Sequence, residues 1–395
     1  MQRAQFQPNL NYARRTLASG LIDAVLGAVE PEVAFKKHFD SSQFKSPAHI
    51  LALGKAAIPM TNAAIECLGS RFARATVITT PELCAQTEFK NKFVELLEGD
   101  HPYPTQRNID ASNIFVEHAL SIPEDHHALV LISGGGSAML CSPREGITLQ
   151  DIVKTTSSLL NAGAPIQEIN QKRSSLDKLK AGGLADVLGH VSGINAYVLS
   201  DVIGDDLSTI ASGPLIDQIP PSIRHTIIAS NQTALDALCA WIAFEHIDPI
   251  SIKRDAVGFA ADEGKELALK LMQSEAQSPI AACIGGEPTV DTGTKCGTGG
   301  PMLELALSCA VELAQTSFRW MIISLTTDGV DGPTNAAGAI ITNEMLDDDE
   351  TIQRVHRSLE EHNSLEICDA IGATIRTGAT GTNVNDIAVA IRWDA

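Results

Sequence analysis

The chain has 395 residues, 44% of them hydrophobic, and a formal net charge of -19 at neutral pH. This length exceeds what one hydrophobic core usually holds, so two domains are expected. The negative charge argues against general binding of nucleic acid or acidic membranes, because their phosphates would be repelled. No apolar run approaches the roughly 20 residues of a membrane span, and the first residues lack the layout of a signal peptide. The sequence therefore predicts a cytoplasmic protein.

The first third of the chain alternates helical and strand patterns. Apolar spacing predicts a helix, a strand, a second helix and two more strands, at 14–29, 49–53, 57–68, 75–80 and 93–97. Lys55 lies between a strand and a helix, at the edge where open α/β sheets bind ligands, although a solvated surface lysine is the alternative. His101 lies in the turn-rich loop after the last of these strands.

Three consecutive glycines separate a predicted buried strand at 128–132 from a helix predicted to open at 137–140: Gly134, Gly135 and Gly136. Glycine takes positive φ and has no Cβ, so these backbone N–H groups can approach an anion closely. A helix N-terminus behind them adds partial positive charge, and Ser133 and Ser137 are further donors. The pattern indicates a phosphate cradle, with a tight strand-to-helix turn as the alternative.

A basic segment and an acidic segment follow. The stretch 166–183 predicts a helix that ends in a glycine pair and carries four basic residues, Lys172, Arg173, Lys178 and Lys180. They form either an anion site or a solvated helix face. A predicted strand at 195–200 then leads into Asp201, Asp205 and Asp206. Carboxylates this close repel one another, so Mg²⁺ bound with a nucleotide would compensate them, while capping of the next turn is the alternative.

A strand at 225–229 and a capped helix from Ser230 to 244 mark the predicted join between domains, 1–229 and 230–395. Three more strands follow, at 281–284, 320–325 and 387–393. Glycine-flanked loops next to them carry four polar candidates for a ligand site, Glu287, Asp328, Asn383 and Asp386. Strands that alternate with helices predict an α/β fold with a parallel sheet covered on both faces.

Seven motifs, taken in order, resemble the MOFRL-type (class II) glycerate 2-kinases. They are GKAA at 54–57, EGDHPYP at 98–104, LISGGGSAML at 131–140, LSDVIGDDLSTIASGP at 199–214, GGEPTV at 285–290, TDGVDGPTNAAGAI at 327–340 and TGATGTNVND at 377–386. The resemblance implies a Rossmann-like domain with helices on both faces of its sheet, a smaller α/β domain, and an active site in the cleft between the domains. It also implies ATP-dependent phosphorylation of D-glycerate, or a related hydroxy acid, to 2-phosphoglycerate with Mg²⁺, and it leaves a homodimer open.

Phosphoryl transfer needs positive charge on the transferred group, a metal on the phosphates and a carboxylate on the attacking hydroxyl. The catalytic candidates are therefore Lys55, Asp201 and Asp328, with Asp331 as the alternative to Asp328, and the metal candidates are Asp201 and Asp205. The candidates for binding ATP are Ser133, Gly134, Gly135, Gly136, Ser137, Glu287, Asn383 and Asp386. Those for binding the acceptor are His101, Arg173 and Lys180.

Two departures from the family pattern keep other functions open. The family usually has Gly-Arg-Asn-Gln-Glu where this chain has Gly300 followed by Pro301, Met302, Leu303 and Glu304. It usually has Val-Arg-Lys-His-Leu where this chain keeps Arg173 but lacks the histidine. A non-catalytic ligand-binding relative is thus one alternative. A hydroxypyruvate or keto-acid reductase is the other, although its Gly-x-Gly-x-x-Gly spacing is not that of the triple glycine.

Overall fold

The computed structural model describes residues 5–6, 12–161, 172–216, 223–291, 293 and 297–393. It divides the chain into two compact units. We call Glu30–Ala229 the Rossmann-like unit, and Met1–Val29 with Ser230–Ala395 the mixed-sheet unit. The units are nearly equal in length.

The predicted boundary after residue 229 coincides with a division between the units, but the assignment of all of 1–229 to one domain is corrected. The first 29 residues belong to the mixed-sheet unit. Their helix Tyr12–Ala28 (α1) packs along the helix Asn231–Phe244, and a Cβ on Gly20 would collide with the Trp241 ring. A glycine at this contact lets the two helices approach closely.

The Rossmann-like unit contains six parallel strands and seven helices that we label, together with a further helical turn at 172–176. The strands are β2 Ala48–Leu53, β3 Phe72–Thr79, β4 Val94–Glu98, β5 His127–Ile132, β6 Gly193–Leu199 and β7 Arg224–Ala229. The helices are α2 Pro31–His38, α3 Ala57–Leu68, α4 Pro81–Ala85, α5 Gln106–Ser121, α6 Gly136–Met139, α7 Leu149–Asn161 and α8 Gly183–Val187.

The order of the strands decides where ligands can bind in this unit. The sheet runs β4-β3-β2-β5-β6-β7, so the first strand of the unit pairs with both the second and the fourth. This is the strand order of dinucleotide-binding folds, with its switch point between β2 and β5. Both strands are apolar runs that are almost wholly buried, as expected of a parallel sheet covered on two faces. Loops that follow β2 and β5 therefore lie side by side at the carboxyl edge.

A row of hydrogen bonds joins α5 to the sheet inside this unit. Thr76 Oγ1 lies 2.9 Å from His118 Nδ1, and His118 Nε2 lies 2.9 Å from His49 Nδ1. His49 Nε2 is in turn 3.1 Å from Nδ1 of His126. Burial lowers the pKa of His49 to about 4 and the pKa of His118 to about 3. Both rings are therefore neutral near pH 7, when each donates one proton and accepts another.

The predicted helix 166–183 is only partly tested, because 166–171 lies outside the described residues. Residues 172–176 are helical, and turns follow from 177 to 182. The glycine pair was predicted to end a helix, but a helix begins at its second glycine instead. Gly182 has φ +91° and directly precedes α8, so the prediction of a C-cap is wrong.

The mixed-sheet unit is built on a seven-stranded sheet. Its strands are β1 Gln5–Phe6, β8 Asp248–Ala256, β9 Ile280–Gly286, β10 Arg319–Thr326, β11 Gly338–Thr342, β12 Thr374–Arg376 and β13 Asp386–Trp393. Its helices, besides α1, are α9 Asn231–Phe244, α10 Ala260–Met272, α11 Pro301–Ala314, α12 Asp349–Glu361 and α13 Ser364–Ala370. The order is β1-β12-β11-β10-β13-β9-β8, in which only β8 and β9 pair in parallel.

The pairing in this sheet is mostly antiparallel, unlike that of the Rossmann-like unit. Strand β13 inserts between β10 and β9 and runs antiparallel to both. Its first residue, Asp386, therefore lies opposite Thr326 at the end of β10 and Gly286 at the end of β9. Three strand ends thus meet at one edge of the sheet. Within the described ranges, no helix is both long enough and apolar enough to cross a membrane.

Candidate active site

Hydrogen bonds fasten the two loops at the switch point of the Rossmann-like unit to each other. The N–H of Lys55 donates to the carbonyl of Gly134 at 2.9 Å, and the N–H of Ala56 donates to Ser133 Oγ at 3.0 Å. Gly54 has φ +112°, and a Cβ there would overlap the Ser133 side chain and carbonyl. The glycine is therefore required by both its conformation and the close approach of the second loop. This contact places Lys55 beside the triple glycine.

The glycine loop itself differs in one respect from the prediction. Among its three glycines only Gly135, with φ +83°, takes the left-handed conformation. Gly134 is required instead because Asp201 lies directly against its Cα. Helix α6 behind the loop has four residues, so its partial charge is small. Within the described part of the chain, the N–H groups of Gly134 and Gly135 donate to no protein acceptor.

Three basic side chains surround this loop. Lys55 is exposed, and Nη1 of Arg173 lies 3.3 Å from Ser137 Oγ. A Cβ on Gly135 would lie 3.1 Å from the His101 ring. Partial burial of the ring and the charges of Lys55 and Arg173 lower the pKa of His101 to about 4, so this ring is neutral near pH 7. We call Lys55, His101, the loop Ser133–Ser137, Arg173 and Asp201 the glycine-loop site.

The acidic residues after β6 have different environments. Burial raises the pKa of Asp201, while its own backbone N–H and the charge of Lys55 act in the opposite direction. Asp205 has φ +54°, and its N–H closes a turn onto the Val202 carbonyl. Asp206 accepts bonds from the N–H and hydroxyl of Ser208, so for this residue the capping alternative is correct. No three His, Cys, Asp or Glu side chains of the described residues come together as a metal site.

The side chain of Lys180 is buried and hydrogen-bonds the backbone at the end of the glycine loop and of α6. Its side chain is 4% exposed, and Nζ donates to the carbonyl oxygens of Ser137 at 2.7 Å and Leu140 at 2.9 Å. Asp177 lies 4.0 Å from the same ammonium group. The sequence could not show this arrangement, because an exposed and a buried lysine look alike in a basic stretch.

A second backbone feature that the sequence did not reveal lies on the other side of α6. Ala211 and Ser212 have φ +51° and +62°, and left-handed conformations are uncommon outside glycine. Ser212 Oγ lies 2.7 Å from Ser137 Oγ, and Ala211 would contact a Cβ on Gly136 at 3.3 Å. Such strain persists where the surroundings over-determine it, which is common at functional sites.

The four candidates from the second half of the sequence line one cavity of about 370 Å³ in the mixed-sheet unit. It lies where β9 and β10 end and β13 begins, and we call it the carboxylate cavity. Its polar lining residues include Glu287, Asp328, Asp331, Asn383, Asn385 and Asp386, and its apolar ones include Pro288, Val290, Pro301 and Val330. No lysine, arginine or histidine occurs among the described residues that line it.

The two aspartates of the TDGVDG motif accept different hydrogen bonds in this cavity. Asp331 accepts hydrogen bonds from the N–H groups of Met302 at 3.0 Å and Leu303 at 2.8 Å, so it caps α11. Burial of this carboxyl raises its pKa to about 6, and the two N–H groups only partly offset that effect. Asp328 Oδ1 accepts bonds from Thr326 Oγ1 and the N–H of Val330, at 3.0 and 2.9 Å. Asp328 thus holds its own turn with one oxygen.

Asp386 and its neighbour Asn385 are the most constrained polar groups in the cavity. Burial, together with the charges of Asp331, Glu287 and Asp328, raises the pKa of Asp386 well above its usual range. Asn385 has φ +63° and lines the cavity, and its Oδ1 is buried without a hydrogen-bond partner. The sequence analysis did not select Asn385, although it stands between two selected residues in the motif Asn383 to Asp386.

The chain is similar to known proteins in sequence and in overall structure. The family model described as a domain of unknown function, DUF4147, matches residues 17–237, and the MOFRL family model matches residues 280–386. The chain is 31% identical to a glycerate 2-kinase of Pyrococcus horikoshii, with 88% of each chain covered. It is 30% identical to a D-glycerate 2-kinase of Thermotoga maritima, over 95% of this chain and 98% of that protein. This chain belongs to the glycerate 2-kinase family.

The crystal structure of a Thermotoga maritima glycerate kinase has the same overall fold. It superposes with a TM-score of 0.87 at 28% identity, covering 97% of this chain and all of that one. The resemblance predicted from the seven motifs and the α/β fold class are thereby confirmed. Within this member of the glycerate 2-kinase family, Pro301 takes the first helical position of α11, where proline's missing N–H costs nothing.

Proposed function

We propose that the protein is a glycerate 2-kinase that transfers the γ-phosphoryl group of ATP to D-glycerate, or to a closely related hydroxy acid, and forms 2-phosphoglycerate. The observation that carries the proposal is the convergence of Lys55, the glycine loop and Arg173 at the switch point of a parallel sheet. Ligands of open α/β sheets bind at this place. Family membership supplies the substrate class, and the glycine-loop site supplies groups suited to a phosphoryl group.

The glycine-loop site combines the features that an anion requires. The N–H groups of Gly134 and Gly135 have no protein acceptor within the described residues, and a Cβ on either glycine would meet the side chain of Asp201 or of His101. The loop is thus a cradle that any larger residue would fill. We propose that Ser133–Ser137 bind ATP phosphates and that Lys55 stabilises the transferred group, because positive charge beside its oxygens lowers the barrier.

Mg²⁺ would be held by few protein ligands in this unit. Asp201 lies against the loop, where burial raises the pKa of its carboxyl and the positive charge of Lys55 acts in the opposite direction. Asp205 follows in the adjoining turn. Mg²⁺ characteristically uses one or two carboxylates, phosphates and water, so a pair of aspartates is sufficient. When bound, Mg²⁺ neutralises charge on the phosphate oxygens.

For the acceptor, we propose that Arg173 and His101 hold the carboxylate of the hydroxy acid. Arginine forms two parallel hydrogen bonds with a carboxylate, and the neutral His101 ring can donate one more. Lys180 is reassigned from the predicted substrate contact to support of the loop, because its ammonium group is already engaged by two carbonyls.

From the mixed-sheet unit, we propose Asp328 as the group that orients and deprotonates the attacking hydroxyl. Its Oδ1 is fixed by Thr326 and Val330, which leaves the second oxygen to accept a proton. Glu287, Asn383 and Asp386, all in the carboxylate cavity, are proposed to bind the nucleotide.

A reductase is disfavoured by the turn after β2, the first strand of the sheet. A dinucleotide-binding fold has its glycine fingerprint in this turn and an acidic residue for the ribose about 20 residues later. Here the turn is Gly54-Lys55-Ala56, and β3 ends in Thr79. Ala56 and Pro59 stand at the second and third glycine positions of that fingerprint, and the following strand end offers no carboxylate.

The test is ADP release from ATP across a panel of small hydroxy acids, with the phosphate position of the product assigned by ³¹P NMR. Consumption of NADH or NADPH with hydroxypyruvate is measured in parallel. We expect ADP with D-glycerate and a phosphate on carbon 2. Absence of ADP with every acceptor, with or without cofactor oxidation, would contradict the proposal and favour the reductase or the non-catalytic relative.

A further inference from the structure

We propose that a cavity at the amino edge of the Rossmann-like sheet binds a small organic anion that carries a hydroxyl group, held by Arg224, Lys45 and the Nδ1 atom of His127. The cavity has a volume of about 440 Å³ and lies where β5, β6 and β7 begin, and we call it the amino-edge cavity. Strands β5 and β6 end at the glycine loop and at Asp201, so the cavity lies at the opposite edge of the sheet from the glycine-loop site. The inference therefore goes beyond the proposed function and does not depend on it.

A chain of hydrogen bonds along the wall of this cavity fixes the orientation of each of its members. Hydrogen bonds from Ser42 lower the pKa of Asp40, so this residue is a carboxylate that only accepts. Gln43 must therefore turn its amide nitrogen towards Asp40, at 3.1 Å, and its oxygen accepts from Nδ2 of Asn195. Asn195, which is 3% exposed, then has only Oδ1 left for His127, whose Nε2 lies 3.1 Å away. The proton of the neutral ring is thus on Nε2.

The same logic makes Nδ1 of His127 an acceptor at the cavity. Partial burial lowers the pKa of the ring, and the charge of Arg224 adds to this effect while the bond to Asn195 opposes it. The hydroxyl of Ser192, another lining residue, lies 3.4 Å from Nδ1 but only 2.7 Å from the carbonyl of His126. A hydroxyl has one proton, and the shorter contact takes it. Within the described ranges, Nδ1 therefore has no good donor.

Close packing holds the His127 ring in this position. A Cβ on Gly193 would lie 2.6 Å from both Cε1 and Nε2 of the ring, so a larger residue at the start of β6 would displace it. The ring of Phe44 packs against it with the two centroids 5.2 Å apart. An acceptor that is already fixed loses little conformational freedom when a ligand binds.

Two cations complete the lining. Lys45 and Arg224 are exposed, and neither forms a hydrogen bond or ion pair with another residue of the described chain. Asp40, the acidic residue of the described lining, already accepts bonds from Ser42 and Gln43 in its own turn. Arginine binds carboxylate or phosphate oxygens through two parallel N–H groups, and lysine adds a point charge. The cavity therefore suits an anion, although the whole protein has a net charge of -19.

The cations and the fixed acceptor together define the ligand class. An anionic group satisfies Arg224 and Lys45, and an O–H group satisfies Nδ1 of His127. A carboxylate and a phosphate monoester meet the first requirement equally, so the shared chemistry is that of a small hydroxylated organic anion. The volume of about 440 Å³ falls within the range of about 300–1,000 Å³ that is usual for small-molecule sites.

The experiment is a titration of the full-length protein, labelled with ¹⁵N-histidine, in which NMR follows the ring nitrogens and His127→Gln assigns the resonances of His127. Before ligand is added, we expect a proton on Nε2 and none on Nδ1. L-lactate, glycerol 3-phosphate or both should then shift the Nδ1 resonance, and the tighter of the two identifies the anionic group. Propionate and propyl phosphate, which lack hydroxyl groups, should bind roughly two- to tenfold more weakly than their hydroxylated counterparts.

A matched pair of variants assigns the binding to this cavity. Arg224→Gln should weaken it by at least about tenfold, since hydrogen bonds to charged groups are the stronger ones. Lys90→Gln also removes one exposed positive charge from the same unit, but beside β4 at the far side of the sheet, and should bind as the wild type does. Circular dichroism checks both folds. Binding at the glycine-loop site would shift His101 instead, in the same spectra.

The proposal is overturned if neither L-lactate nor glycerol 3-phosphate shifts His127, if the probes without hydroxyl groups bind as tightly, or if Arg224→Gln binds as the wild type does. A proton on Nδ1 before ligand is added would also overturn it. These outcomes do not involve ADP release. A failure of the proposed function would therefore leave this inference intact, and a failure of this inference would leave the proposed function intact.

Discussion

The glycine-loop site and the carboxylate cavity are both placed at the ends of strands, but their chemistry is opposite. The glycine-loop site has unpaired N–H groups, Lys55 and Arg173, so it is rich in donors and positive charge. The carboxylate cavity has four carboxylates and an amide oxygen without a donor. The first offers donors and positive charge, whereas the described lining of the second offers acceptors and negative charge. Both sites lie at strand ends, and the side chains at each one decide whether it suits a ligand of negative or of positive charge.

The variant with the largest expected effect tests whether the glycine-loop site depends on a buried cation. Lys180→Met should lower the free energy of unfolding by about 3–5 kcal/mol, because it leaves Asp177 and two carbonyls without their buried partner. Urea unfolding measures the loss. Lys178→Met, an exposed neighbour, is the control and should change stability little. Equal effects of the two substitutions would show that the ammonium group of Lys180 does not support the loop.

The next variant tests whether positive charge at the glycine-loop site acts on the transferred group. Lys55→Ala should leave the fold intact and lower kcat/KM by an amount that corresponds to a loss of roughly 2.7–4 kcal/mol of transition-state stabilisation. This is the usual cost of removing one stabilising group. ADP release measures the rate, and circular dichroism checks the fold. Lys90→Ala, an exposed lysine of the same unit, should turn over normally. Unchanged kinetics of a folded Lys55→Ala protein would remove this residue from the mechanism.

A pair of glycine substitutions separates backbone strain from ligand contact. Gly135 and Gly146 have nearly the same φ, +83° and +78°, but a Cβ on Gly135 would meet the His101 ring whereas one on Gly146 has open space. Substitution by valine should lower the free energy of unfolding by about 1–2 kcal/mol at each position. Only Gly135→Val should weaken ATP binding, which isothermal titration calorimetry measures. If both variants bind ATP as the wild type does, the glycine loop is an ordinary turn.

A further prediction concerns pH and again contrasts the two units. Because the folded pKa values of His49 and His118 are lowered to about 4 and about 3, the unfolded chain takes up protons first as the pH falls. Their contribution to stability is therefore complete above about 6.5 and is lost progressively towards these values. Asp331, whose pKa is raised to about 6, acts in the opposite direction over part of this range.

A variant isolates the histidine contribution from that of Asp331. His118→Gln should be less stable than the wild type at pH 7.5, and the difference should narrow at pH 4.5, as measured by urea unfolding at both values. His356→Gln, at an exposed position of α12, should show no such narrowing. A difference that is independent of pH would mean that His118 is not held neutral by its surroundings.

Much of the Rossmann-like unit could be predicted from sequence, because its strands and helices carry local patterns. The predicted helix 57–68 is the observed α3, and the strand predicted at 128–132 is β5 but for one residue. The mixed-sheet unit was less accessible. Strands β8, β11 and β12 were not predicted. Strand β8 is half-exposed and β12 has three residues, so both lack a strong apolar run.

The sequence by itself determined the family, the glycine loop and the position of Lys55 between a strand and a helix, because these depend on residues that are neighbours in the chain. Only the tertiary structure decided that β2 pairs with β5, which brings Lys55 to Gly134. It also decided that Lys180 is buried and that Asp331 caps a helix. Such assignments depend on which distant segments pack together, and no local periodicity records the partner of a strand.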